Sequence, residues 1–149
     1  MKTTHRRASA AKRKYQADPS SIYRLMNKLQ PFTPQELVSL TLPIRVSFEA
    51  LRTGQGTERD WSDLAAAINV TVIRSQDVDP LCEQTAGAAS DALMRMWERA
   101  QRTGKWGFDG PALIEIEAGI DLHEQFCKMS TPHQMMGAMR EVLEIRRAA

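Results

Sequence analysis

Long apolar runs are missing from this 149-residue sequence. Its charge-free stretches, such as Val38 to Ile44, carry Ser, Thr and Pro and fall far short of the ~20 residues a membrane helix needs. No apolar run follows the cations at the N-terminus, so a secretory signal peptide is not expected, and the expected location is the cytoplasm, with no membrane contact. Cysteine is scarce too: Cys82 and Cys127 stand far apart on predicted helices, which excludes a disulfide framework and a paired metal knuckle and leaves two reduced, half-buried thiols. There is no alternating pattern of strand length; Val70-Thr71-Val72-Ile73 comes nearest, yet it continues a helical stripe. No period of 20 to 50 residues repeats. Also absent are a phosphate-cradling glycine loop, a nucleophile elbow and a paired metal-ligand motif, so neither an enzyme nor a cofactor or metal site is expected.

What is present begins with a charge asymmetry hidden in a net charge of +2. Residues 1–30 hold eight Lys/Arg against Asp18 alone, a net of +7, and the remaining 12 basic and 17 acidic residues leave 31–149 at −5. Up to Asp18 the chain is cationic and poor in large apolar residues, and it cannot bury enough surface to offset the entropy of ordering. The expected organisation is a disordered basic arm over 1–18 and a single helical domain over 19–149, since 42% apolar residues suffice for one core. Lys2, Arg6, Arg7, Lys12, Arg13 and Lys14 form the candidate nucleic-acid-binding set, because clustered cations neutralise phosphates and release counterions without any fixed shape. Such contacts give affinity without sequence preference. A solubilising tail, or an arm that docks on an acidic protein, is the alternative.

The body is punctuated by helix starts and stops. Ser20 or Ser21 caps a short helix with Ile22, Leu25, Met26 and Leu29 at helical spacing, which Pro31 ends. Thr33-Pro34-Gln35-Glu36 is a capping box with proline at the first helical position, and Pro43 should kink or break the helix that follows. Ile44, Phe48 and Leu51 resume its stripe before Thr53-Gly54 closes it. Thr57 with Asp60 opens a third helix, faced by Trp61, Leu64, Ala65, Ile68 and Val72 and ending near Asp77. After Asp79-Pro80, the positions Leu81, Thr85, Ala89, Ala92, Leu93, Met96 and Trp97 trace a long amphipathic helix to Thr103-Gly104. Pro111 starts another, with Leu113, Ile116, Ile120 and Phe126 inward. Thr131 to Gln134 caps the last, with Met135, Met139, Val142 and Leu143 inward and Arg146-Arg147 at its dipole-favoured end. The fold class is therefore all-α, a compact bundle of about five to six helices.

Three local features invite function and have plainer readings. Leu64 to Thr71 reads like the first helix and turn of a helix-turn-helix, but Val72 and Ile73 occupy positions that ought to face DNA, and a straight core helix is expected. His123 and Cys127 share one face at i and i+4; a metal site would need two more ligands, which nothing nominates, so an ordinary surface or half-buried histidine is expected. Arg102, Lys105, Trp106 and Phe108 stand in a glycine-containing loop able to anchor a partner, whereas the plainer role of both rings is to plug the end of the core. Met135, Met136 and Met139 could likewise make an adaptable surface or core.

Glu49 to Gly54, Asp63 to Val70 (DLAAAINV), Asp79 to Cys82 and Thr103 to Leu113 (TGKWGFDGPAL) together resemble a set of small helical proteins from betaproteobacterial genomes, phages and plasmids, sometimes labelled Fis-type regulators. The resemblance spans most of the chain. It implies a mobile-element origin and no established activity. Where that label would imply a polar recognition helix near the C-terminus, Met135 to Ile145 has Arg140 but otherwise reads as a packed amphipathic helix. The expected function is a non-enzymatic, nucleic-acid-associated regulatory or accessory protein; the alternative is an inhibitor or adaptor that binds a host protein such as a defence-system component. Apolar faces on so many helices leave a homodimer open.

Overall fold

The computed structural model describes residues 29–149, which form five α-helices and, among the described residues, no strand. These are α1 (Pro34–Arg52), α2 (Glu58–Ser75), α3 (Pro80–Thr103), α4 (Gly110–Met129) and α5 (Pro132–Ala148). The chain is helical at Leu29 and leaves the helix ahead of Pro31; the expected short helix at Ile22, Leu25 and Met26, and the arm over 1–18, lie outside the described residues.

Each start is held by a side chain that satisfies backbone N–H groups with no partner inside the helix. Glu36 accepts from the Thr33 N–H at 2.7 Å, and Asp60 accepts from the Thr57 N–H at 2.8 Å. Asp79 takes the N–H groups of Leu81 and Cys82 at 2.8 and 2.9 Å, and Asp109 takes that of Ala112 at 2.8 Å. Thr131 and Gln134 cap α5 reciprocally, Gln134 accepting from the Thr131 N–H at 2.9 Å. At the other end of α3, Gly104 adopts a left-handed φ of 70°, which a glycine takes without a Cβ penalty. Because α5 buries only Ala138, its cap matters more than most: Thr131→Ala should cost about 1 kcal/mol, measured as a shift in the urea midpoint, and an unchanged midpoint would show that the cap contributes nothing.

The core is built from α1 (Phe48, Leu51), α2 (Leu64, Ala65, Ile68), α3 (Ala89, Ala92, Leu93, Met96) and α4 (Ala112, Ile116, Ile120). A smaller cluster of Ala86, Leu122 and Phe126 extends it toward the other end. The buried stripe of α3 is rich in alanine, which lets α4 approach closely: a Cβ placed on Gly119 would lie 2.4 Å from the Ala89 Cβ and 2.8 Å from Ile68 Cδ1. Arg45 ties α1 to α4 through Glu124, at 2.6 Å, and Asp121. Arg74 reaches from the end of α2 to the Ser130 hydroxyl in the α4–α5 turn at 3.2 Å.

Several expectations are corrected. Pro43 does not break α1, which runs through it unbroken. Both Pro43 and Ser39, whose carbonyl loses its helical partner, are exposed, so water can satisfy that carbonyl and the break is avoided. Leu81 is exposed, and its neighbour Cys82 is the first-turn residue that packs on the Phe126 cluster. Met139 and Leu143 are exposed rather than inward. The reason is that α5 packs mainly against α2 alone, and a helix with one neighbour buries only a narrow stripe, here Ala138 with Met135 and Val142 half-buried beside it.

Candidate functional site

Two concavities among the described residues bear on a candidate site. The first, about 690 Å³, opens where the α1–α2 and α3–α4 connections meet. Gly54 and Gly56 form one wall and Gly104 to Asp109 the other, with Arg99 between them. The two loops come together because Thr53-Gly54 and Thr103-Gly104 stop α1 and α3 at the same end of the bundle. Trp106 and Phe108 are half-buried and seal that end of the core, as the plainer reading expected: Phe108 lies 5.1 Å from Phe48 and Trp106 lies 6.1 Å from Trp61, centroid to centroid. Trp61 in turn donates its indole N–H to the Leu93 carbonyl at 2.9 Å. Arg102 and Lys105 are exposed, and of these only Lys105 lines the cavity. Arg99, which the sequence did not single out, is the more deeply placed cation. It is held by Asp109 at 2.9 Å and by the Gly107 carbonyl, so two of its five N–H donors fasten the loop. The Asp109 carboxyl is kept below its usual range, first by the Ala112 N–H and then, against its partial desolvation, by Arg99.

The second concavity is an apolar groove of about 580 Å³ between α1, α2 and α5. Leu40 and Ile44 line one side, Ala67 and Val70 the floor, and Met135 and Met139 the other side. His123 and Cys127 of α4 also reach it. His123 is buried, not at the surface, and here the structure differs from expectation. Its Nδ1 is 2.9 Å from the Thr71 hydroxyl, whose proton goes to the Ala67 carbonyl at 2.9 Å. That network assigns the ring proton to Nδ1 and leaves Nε2 as acceptor toward the Cys127 thiol, 3.6 Å away. Thr71 was invisible as a partner in the sequence because it comes from a different helix.

The pair has the composition of a nucleophilic dyad and the opposite electrostatics. Burial pushes the His123 pKa down to about 4 and the Cys127 thiol up to about 11, with the nearby Glu124 charge adding to the second shift. A thiolate–imidazolium pair needs both shifts reversed, as a polar, electropositive setting supplies. At neutral pH this pair is a neutral ring beside a neutral thiol. Both cysteines are free, and among the described residues no three His, Cys, Asp or Glu side chains converge as metal ligands.

The helix-turn-helix reading is replaced by the straight helix: Asn69 and Val70 lie inside α2, Val70 is buried and Val72 packs against the core. Lys2, Arg6, Arg7, Lys12, Arg13 and Lys14 lie outside the described residues. No helix among the described residues is long and apolar enough to cross a membrane. No family model, no curated protein and no solved structure matches the chain.

Proposed function

We propose that this protein is a non-enzymatic, nucleic-acid-associated accessory or regulatory protein in which Lys2, Arg6, Arg7, Lys12, Arg13 and Lys14 contact phosphates. The observation that carries the reading is charge segregation: +7 over residues 1–30 against −5 over 31–149. An arm of that sign is drawn to a polyanion while an acidic body is repelled from it, which confines contact to the arm. Six phosphate contacts would give a log–log salt slope of roughly −5 on duplex DNA. Deleting residues 1–18 should therefore weaken binding to DNA or RNA at least tenfold and flatten that slope, with helical circular dichroism retained. Equal affinity and slope in the truncated protein would refute the reading.

A second reading is favoured by the acidic body, whose net negative charge suits a host protein with a basic, nucleic-acid-binding face. The mobile-element origin implied by the sequence resemblance fits an inhibitor or adaptor of that kind. Purification of the tagged full-length protein with and without nuclease separates the two. Co-purifying nucleic acid, with every protein lost after nuclease, supports the arm; one protein retained at constant ratio supports the inhibitor.

A further inference from the structure

Polar ties knit the first four helices together. Arg45 joins α1 to α4 through Glu124 and Asp121, and Ser47 joins α1 to α2 through Asp63 at 3.1 Å. Trp61 joins α2 to α3 through the Leu93 carbonyl, and Arg95 joins α3 to α4 through Glu115. The last such tie along the chain ends at Ser130, whose hydroxyl Arg74 holds at 3.2 Å. Beyond it the pattern stops. Among the described residues, α5 bonds only within its own backbone and its Thr131–Gln134 cap, and none of Arg140, Glu141, Glu144, Arg146 and Arg147 pairs with another helix. What holds α5 is apolar contact, mainly with α2: Ala138 is buried, Met135 and Val142 are half-buried, and Met136, Met139 and Leu143 are exposed. The groove keeps α1 from serving as a second neighbour, because it lies between α5 and α1.

We infer that α5 is a hinged flap, which leaves α2 as a unit while α1 to α4 stay folded and so opens the groove floor at His123 and Cys127. The hinge is the two-residue link of Ser130 and Thr131, both in extended backbone with ψ of 155° and 158°. Ser130 belongs to the body, since its N–H donates to the Phe126 carbonyl at 2.9 Å and its hydroxyl is held by Arg74. Thr131 belongs to the flap, since its N–H and hydroxyl bond Gln134 and its carbonyl takes the Met135 N–H at 3.1 Å. Rotation about the ψ bond of Ser130 leaves every one of these bonds in place and swings α5 whole.

The motion breaks no hydrogen bond between described residues, so its cost is the burial lost at Met135, Ala138 and Val142. A segment held by so few buried apolar contacts belongs at the low end of a protein's local stabilities. Its departure uncovers what lies beneath. His123 is 7% and Cys127 1% exposed, and both line the groove beside Pro132 and Met135. The flap therefore decides how wide the groove is and whether its floor meets solvent. It does so independently of the arm and of nucleic acid.

The test uses the full chain in a Cys82→Ser background, where Cys127 is the only thiol. Its reaction with an aromatic disulfide reagent is followed beside amide hydrogen exchange, in urea below the unfolding transition. Amides from Met139 to Arg146 should exchange at least tenfold faster than those of Leu93 and Met96 in α3, and Cys127 should react with the same shallow urea dependence, because a partial opening exposes little surface. Gly87→Ala, in α3 where an added Cβ meets nothing, separates this from global unfolding. It should slow the Leu93 and Met96 amides about two- to fivefold and leave Cys127 and α5 unchanged. Ala138→Glu, which puts a charge into the α2 contact, should speed the Cys127 reaction at least tenfold while α1 to α4 keep a cooperative urea transition. A Cys127 rate that Gly87→Ala slows as much as it slows the α3 amides overturns the proposal. So do α5 amides as protected as those of α3, or an Ala138→Glu chain that loses its whole fold. Nucleic acid is absent throughout, so failure here leaves the arm reading standing.

Discussion

Gly119→Val should cost at least about 3 kcal/mol of folding stability, a large part of the 5–15 kcal/mol typical of a domain. The expectation rests on the α3–α4 contact. The first added carbon already falls 2.4 Å from the Ala89 Cβ and 2.8 Å from Ile68 Cδ1, and the Ala89 Cβ is fixed to a helix backbone and cannot rotate away. The helices must separate, loosening the layer of Ala89, Ala92, Ile116 and Ile120 around them. Helix propensity alone predicts the opposite sign, since alanine is favoured over glycine by about 1 kcal/mol inside a helix. The decisive comparison is with Gly87, in the middle of α3, where an added Cβ meets nothing within 4 Å. Gly87→Ala should stabilise by about 0.5–1 kcal/mol, while Gly119→Ala destabilises. Ala89→Gly should offset part of the Gly119→Ala loss, because the clash is one carbon against another. Urea unfolding followed by circular dichroism measures all four variants, and a Gly119→Ala protein as stable as the parent would sink the argument.

Acid should destabilise the fold well before the carboxylates are protonated, and His123 is the group responsible. It is 7% exposed, and burial lowers its pKa from 6.5 to about 4, against a smaller opposing pull from Glu124. A histidine whose folded pKa is depressed is held neutral by the native state, so its stability is fully present above the unfolded value near 6.5. As pH falls the unfolded chain takes up a proton that the folded one refuses, and stability drops until about pH 4. At about 1.4 kcal/mol per unit, the full loss is on the order of 3 kcal/mol. The carboxyls of Glu36, Asp60, Asp79 and Asp109, all held below their usual values by N–H and hydroxyl donors of their caps, act in the same direction but at lower pH. The window from pH 6.5 to 5 therefore isolates the histidine. His123→Gln, which keeps an amide for Thr71 and cannot titrate, should be less stable at pH 7 and flat across that window. A parent protein whose urea midpoint does not move between pH 7 and pH 5 would show that the ring is not held neutral by its burial.

Most helix starts were legible because capping is a problem of local satisfaction: Thr33, Asp79 and Thr131 each bond an N–H within three positions and Asp60 bonds that of Thr57, whereas α4 begins one residue ahead of the expected Pro111, capped by Asp109 from the preceding loop. The same locality explains why α2 was recognised as one helix despite a turn-like DLAAAINV stretch, since Leu64, Ile68 and Val72 keep one stripe across it. The candidate loop was legible in its aromatics and not in its cation. Trp106 and Phe108 stand out as large rings among glycines, whereas Arg99 looks like any exposed helical arginine until the loop folds back and sets Asp109 and the Gly107 carbonyl against it. Gly119 carried no local signal either, since a glycine inside a helical pattern is explained only by what lies across from it.

From the order of residues alone come the all-α class, most of the starts and stops of the five described helices, most of the inward stripe of α2, α3 and α4, and the opposition of a basic arm to an acidic body. Each depends on neighbours within a few positions or on summed charge. Tertiary structure alone decided which side of α1 and of α5 is covered, that Thr71 and His123 meet from different helices, and that two glycine-stopped connections enclose one cavity. Periodicity marks an apolar face but does not supply its partner: α1 has apolar residues on two sides, and only packing against α2 and α4 determines which side is spent on the core and which remains at the surface.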